Sequence, residues 1–153
     1  MRTLLATILL LLCACATSSP ADSVPAVNAA VDAFHDAAAS ADEPRYFGLM
    51  APEFVFLGTD ATERWDVHAF REFAHPHFAS GKGWKFVPRD RHVEVHGDVA
   101  WFDERLESAS YGECRGTGVL RRIGNDWKLA HYNLTIPIPN DLAKAIVEMI
   151  RGQ

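Results

Sequence analysis

Residues 99–135 read VAWFDERLESASYGECRGTGVLRRIGNDWKLAHYNLT, and this stretch decides the fold. Val99 to Leu106 reads as one strand, the loop Ser108 to Gly112 follows, and Gly116 to Ile123 reads as the next strand. Gly124-Asn125-Asp126 is a hairpin turn leading into Trp127 to Thr135, and Ile123 and Trp127 flank it so closely that their strands must pair antiparallel. Upstream, Val93 and Val95 alternate with His92, Glu94 and His96, and Gly97-Asp98 is a tight-turn signal. The period-two pattern therefore runs as a continuous meander. Gly116 and Gly118 lie inside a strand rather than at a strand-to-helix turn, so they read as points of sheet curvature and not as a phosphate cradle.

Before this meander the period is helical. Val24, Val27, Val31, Phe34 and Ala38 recur at three- and four-residue steps, with Asp22 or Ser23 as cap and Pro25 tolerated in the first turn. Glu43 to Met50 reads as a short second helix, and Glu53 to Leu57 as a strand stopped by Gly58. Asp66 caps a third helix with Val67, Phe70, Phe73 and Ala74 on one face, and Pro76 marks its end. After the meander, Pro137 and Pro139 stop the last strand, Asn140 caps a helix, and Leu142, Ile146, Met149 and Ile150 form its stripe. Helices followed by a run of long strands make an α+β pattern, in which the helices must cover one face of the sheet. A sheet that curves around them encloses a cone with an open mouth, where a small ligand would sit.

The 153 residues, 48% of them hydrophobic, suffice for one compact domain and leave no room for a second core. Twenty acidic against 15 basic side chains give a net charge of −5, so no basic field exists to hold a phosphate backbone, and nucleic acid is not an expected partner. At the N-terminus, Arg2 precedes an apolar run from Thr3 to Leu12, too short to cross a ~30 Å hydrocarbon core as a helix. It reads as a signal peptide over residues 1–14. Leu12-Cys13-Ala14-Cys15 resembles a bacterial lipobox, which makes Cys15 the expected lipidation site and new N-terminus, with residues 15–23 as tether and 24–153 as the domain. Ordinary secretory cleavage after Ala16 and an uncleaved anchor remain the alternatives. Neutral Ala16 after the cysteine points to the outer membrane, on the periplasmic side of the cell envelope; the alternative is a soluble periplasmic or secreted protein. The expected membrane association is through the lipid anchor only. Cys114 is then an odd thiol in an exported protein, read as a buried structural cysteine with no disulfide.

The order of elements and several segments resemble the nuclear transport factor 2-like superfamily and, within it, the SnoaL-like domains. The segments are Gly58 to Trp65, Val99 to Glu104, Cys114 to Leu120 and Tyr132 to Asp141, within a resemblance spanning roughly Val24 to Ile150. The resemblance implies a cone-shaped α+β fold, a pocket inside the cone and commonly a homodimer built on the outer sheet face. It implies no particular reaction, because isomerases, cyclases, dehydratases, transport adaptors and oligomerisation domains share the fold.

Strand alternation puts Leu129, His131, Asn133 and Thr135 on one face of the last strand and Ala130, Tyr132, Leu134 and Ile136 on the other. In the SnoaL-like pattern the His131 set faces the cavity, so His131 is expected to polarise or protonate a ligand and Asn133 to donate to its oxygen. Asp60, Glu63 and Asp103 join His131 as candidate catalytic groups, and Trp65, Glu104, Arg115, His131 and Asn133 are the expected ligand-binding set. Only one of Asp103 and Glu104 can point inward, and a hairpin over Ser108 to Gly112 would set Arg115 nearly opposite Glu104 as a cross-strand ion pair. Trp65 and Trp101 are expected as large apolar walls of the core. No set matching the ketosteroid isomerase catalytic residues is present. His75 and His77 diverge at a helix end, and neither Cys-x-x-Cys nor His-Glu-x-x-His occurs, so no metal and no cofactor is expected. The expected function is binding of a small, largely apolar molecule in the cone, the alternatives being an acid/base enzyme or an assembly module.

Overall fold

The structure, a computed structural model, describes residues 20–152. The signal peptide, Cys13 and the Cys15 lipidation site lie outside the described residues, and no described helix is long and apolar enough to cross a membrane.

Three helices come first: α1 (Pro20–Ala39), α2 (Glu43–Gly48) and, after two strands, α3 (Val67–Ala79). The α1 stripe is the one read from the sequence, with Val27, Val31, Phe34 and Ala38 buried; the helix begins four residues before Val24. Asp42 caps α2 through its carboxylate, which accepts from the Arg45 amide at 3.1 Å. This helix ends at Gly48, not Met50, because Met50 opens strand β1 (Met50–Leu57) and the Leu49 carbonyl is taken by the Leu129 amide at 2.9 Å. Asp66 caps α3 as expected, accepting from the amides of His68 and Ala69 at 2.9 Å each. Pro76 does not end α3, which continues to Ala79. The three added residues bury Phe78, 5.2 Å from both Tyr46 and Trp84, and that packing offsets the amide hydrogen bond that Pro76 cannot make.

Six strands form one sheet in the order β2-β1-β6-β5-β4-β3. They are β1, β2 (Arg64–Asp66), β3 (Val87–His96), β4 (Val99–Ser108), β5 (Gly112–Ile123) and β6 (Asp126–Thr135). The meander β3 to β6 is antiparallel throughout, whereas β1 pairs with β6 in parallel, a long-range pairing that local pattern does not reveal. Helix α1 packs on β3 and β6 and α3 on β1 and β2, so the helices cover one face of the curved sheet and the core lies between.

Two bulges control which side chains enter that core. On β3, Arg89 pairs with Arg105 and His92 with Asp103, leaving Asp90 and Arg91 opposite the single residue Glu104; Asp90 takes a positive φ of 47°. On β6, His131 pairs with Val119 and Leu129 with Leu120, so Ala130 is the extra residue. Leu129 is then buried together with Tyr132 and Leu134, and the strand's parity changes in the middle. Gly118 lets the sheet close against Phe102, whose ring would lie 2.5 Å from a Cβ at that position. Helix α4 (Asn140–Arg151) follows the last strand; Pro139 rather than Asn140 stands at its cap position, with no side-chain cap hydrogen bond, and none of its residues is buried.

Candidate functional site

Between the helices and the sheet lies a cavity of about 150 Å³. Its walls are aromatic: Phe34 from α1, Tyr46 from α2, Phe56 from β1, Trp65 from β2, Phe70 and Phe73 from α3, and Trp84 and Phe86 from the segment leading into β3. The rings interlock, Phe56 stacking on Phe70 at 4.1 Å and 13°, and Trp65 on Phe73 at 4.6 Å and 20°. Such walls favour a flat apolar ligand. At the mouth, Glu63 folds over Gly58 and accepts from the Asp60 amide at 3.1 Å, and a Cβ at position 58 would collide with the Glu63 carboxylate.

Beyond Glu63 and Thr59 at the mouth, polar groups enter this lining at the Tyr46 hydroxyl, buried with no hydrogen-bond partner among the described residues, and at one larger cluster. His35 follows Phe34 on α1, is only 7% exposed, and places Nε2 2.5 Å from Oε1 of Glu104. Glu104 itself has no exposed surface. Its second oxygen accepts from Arg91 Nε at 2.8 Å, and the Arg91 guanidinium also donates to Asp32 at 2.7 Å and to the Asn28 carbonyl and side chain at 3.2 Å each. The β3 bulge turns Arg91 inward, where its charge compensates a carboxylate that could not otherwise be buried. Burial opposes the charge on Arg91, but the carboxylates of Glu104 and Asp32 outweigh it and hold the guanidinium above its ordinary basicity. Tyr132 lies beside this cluster, its ring 6.2 Å from that of His35 and its hydroxyl buried with no hydrogen-bond partner among the described residues. Burial, and secondly the Glu104 charge, push the Tyr132 phenol well above its usual value, so it stays a protonated donor. The space its hydroxyl occupies exists because residue 116 is glycine: a Cβ there would meet Tyr132 Oη at 2.5 Å and Glu104 Oε1 at 3.1 Å.

The residues expected from sequence are partly redistributed. Trp65 and Glu63 line the cavity. His131 and Asn133 do not; the Ala130 bulge separates them from the inward Leu129 and brings Tyr132 and Leu134 to Leu129's side, so that these two take the cavity positions assigned to them. Partial burial and the nearby Arg64 charge lower the affinity of His131 for a proton. Of the pair on β4, Glu104 points inward and Asp103 outward. Arg115 makes no ion pair with Glu104, because β5 sets Gly116 opposite Glu104 and Arg115 opposite Arg105, one residue away from the expected register. Glu104 therefore acts on the cavity through His35, not by lining it. Asp60 is exposed and closes a turn, its carboxylate accepting from the Thr62 amide at 2.8 Å and hydroxyl at 2.6 Å; the latter and then the former lower its pKa. Trp101 is no core wall: it is 45% exposed on the outer face, stacked on His96 at 5.0 Å.

His35, Arg91 and Tyr132 were outside the expected site. A histidine on the apolar stripe of α1 and the Arg89-Asp90-Arg91 interruption before an alternating strand are the signals that pointed to the first two. Cys114 is buried, and burial raises its thiol pKa. Among the described residues no group of three or more His, Cys, Asp or Glu is placed to hold a metal ion; His75 bonds Glu43 at 2.8 Å.

The helix-covered curved sheet with a cavity inside the cone is the nuclear transport factor 2-like fold, and solved structures share it. A nuclear transport factor 2-like protein of unknown function from Pseudomonas putida KT2440 superposes with a TM-score of 0.67 at 16% identity, covering 79% of this chain and 91% of that one. A Streptomyces avermitilis protein provisionally named a dehydratase of the same family gives 0.68 at 20% identity, over 79% and 100% of the two chains. A protein of unknown function from Mycobacterium tuberculosis gives 0.68 at 18% identity, over 82% and 80%. Within this fold the chain belongs to the SnoaL-like domain family, whose sequence pattern matches residues 27–139. No curated protein matches it.

Proposed function

We propose that this SnoaL-like domain binds a small, largely apolar molecule in its cone cavity. The observation that carries the reading is the aromatic-walled space of about 150 Å³ into which a buried histidine and a buried phenol are built. Cavities of that size hold one ring-sized molecule. The protein is exported, anchored by acylation of Cys15 to the outer membrane facing the periplasm, and works as a homodimer; the lipobox-like Leu12 to Cys15 and the family resemblance support these three statements.

A second reading, an acid/base enzyme of isomerase, cyclase or lyase type, is favoured by the His35–Glu104 pair at 2.5 Å. A carboxylate that fixes one imidazole nitrogen leaves the other as a proton acceptor at the ligand. In that reading His35 replaces His131 as the proton carrier. Native mass spectrometry of the detergent-extracted full-length protein from its own host tests these statements together. The expected spectrum is a dimer acylated at Cys15 that retains a small organic molecule. An unacylated chain would remove the anchor, and an acylated dimer without any retained molecule would move the function to protein assembly.

A further inference from the structure

Resting on the pocket reading, we infer that the cavity is built for an uncharged one-ring molecule carrying a hydroxyl group, which donates its hydrogen bond to Nδ1 of His35. The argument begins at Glu104. Its oxygens are divided, Oε2 to Arg91 Nε at 2.8 Å and Oε1 to His35 Nε2 at 2.5 Å. A carboxylate only accepts, so in the neutral ring the proton sits on Nε2 and Nδ1 carries a lone pair. Nδ1 has no hydrogen-bond partner among the described residues, and His35 is one of the residues that line the cavity. Nδ1 is therefore the acceptor that His35 offers, beside the Tyr132 hydroxyl, and its complement is an O–H group. A charged ligand would lose its water among these aromatic walls, and an anion is opposed further because Glu104 outweighs Arg91 in its effect on the neighbouring Tyr132 phenol.

The tautomer can be reversed by one atom. In Glu104→Gln, Arg91 still requires an acceptor, so the amide oxygen turns to Arg91 and the NH₂ group to His35. His35 Nε2 must then accept, and the proton moves to Nδ1, which becomes a donor. Ligand preference should invert with it.

Toluene, phenol and benzaldehyde are the probes, with binding followed at pH 8, where phenol itself is largely un-ionised. An apolar pocket lacking an acceptor strips phenol of its water and rejects it against toluene by roughly tenfold or more. In the wild-type protein phenol is expected to bind at least as tightly as toluene. In Glu104→Gln phenol binding falls roughly tenfold relative to the wild type and benzaldehyde gains roughly tenfold, with folding of the variant checked separately by its circular dichroism. Should Glu104→Gln not fold, the ¹⁵N spectrum of wild-type His35 decides instead: an unprotonated Nδ1 supports the assignment and a protonated one overturns it. Toluene binding with phenol rejected in the wild type overturns the hydroxyl assignment and leaves the pocket standing. Binding of none of the three overturns the pocket and the assignment together.

Discussion

The two faces of the meander carry opposite kinds of electrostatics on the same strands. Along β4, Trp101, Asp103, Arg105 and Glu107 look outward, and Arg105 shares its guanidinium between Asp90 at 3.3 Å and Glu113 at 2.7 Å in open solvent. Between them Phe102, Glu104 and Leu106 look inward, and the one acid there is fully enclosed and doubly bonded. Surface pairs of the first kind are screened and exchange for water at little cost. The inward acid has no such exchange, so every partner it lacks is a penalty. The polar cluster of the cone is thus held in place by the cost of breaking it, which is what a ligand site needs if its hydrogen-bonding groups are to stay in position.

Removing the acid is the most direct way to break this contrast. Glu104→Ala leaves Arg91 and His35 without their shared partner and is expected to cost about 3–5 kcal/mol in urea unfolding; a loss below ~1 kcal/mol would mean that the cluster is solvated. On the outer face, Arg105→Ala should leave the unfolding midpoint where it was. Gly118→Ala probes the same asymmetry through shape. Its Cβ would lie 2.5 Å from the Phe102 ring and 2.9 Å from the His131 carbonyl oxygen, and backbone cannot give way as a side-chain tip can. A destabilisation of about 1–3 kcal/mol is expected, against none for the outward Thr117→Ala; equal effects would show that the faces are packed alike.

The smallest effect concerns His131 and pH. Its folded proton affinity is lowered by partial burial and by Arg64, so the unfolded chain takes up the proton first as pH falls. Its contribution to stability is present above the ordinary histidine value near 6.5 and is lost as pH drops through the lower, folded value. Comparing unfolding midpoints at pH 7.5 and 5.5 should show a slightly steeper decline for the wild type than for His131→Gln. Identical slopes would place His131 in solvent.

Much of the architecture was legible as periodicity. The α1 stripe, the Asp66 cap, the Gly97-Asp98 and Gly124 to Asp126 turns and the four-strand meander all rest on neighbours within a few residues of one another. The site was legible only where no bulge intervened: Glu104 sits on the inward face of the regular strand β4, and Trp65 and Glu63 reach the cavity. His131 and Asn133 were lost to one inserted residue, Ala130, and Arg91 was gained through another, at Asp90. The parallel pairing of β1 with β6 and the α3 turn beyond Pro76 depend on residues far away in sequence, among them Leu129 and Tyr46.

Composition and periodicity alone settle that this chain is acidic and makes an α+β fold whose helices cover a curved sheet. Which side chains meet inside the cone is decided in three dimensions. A bulge changes strand parity for the sake of packing and charge balance against distant elements, here α1 against β3 and β6. His35, Glu104 and Arg91 are 69 and 13 residues apart along the chain, and only the closed sheet brings them into contact.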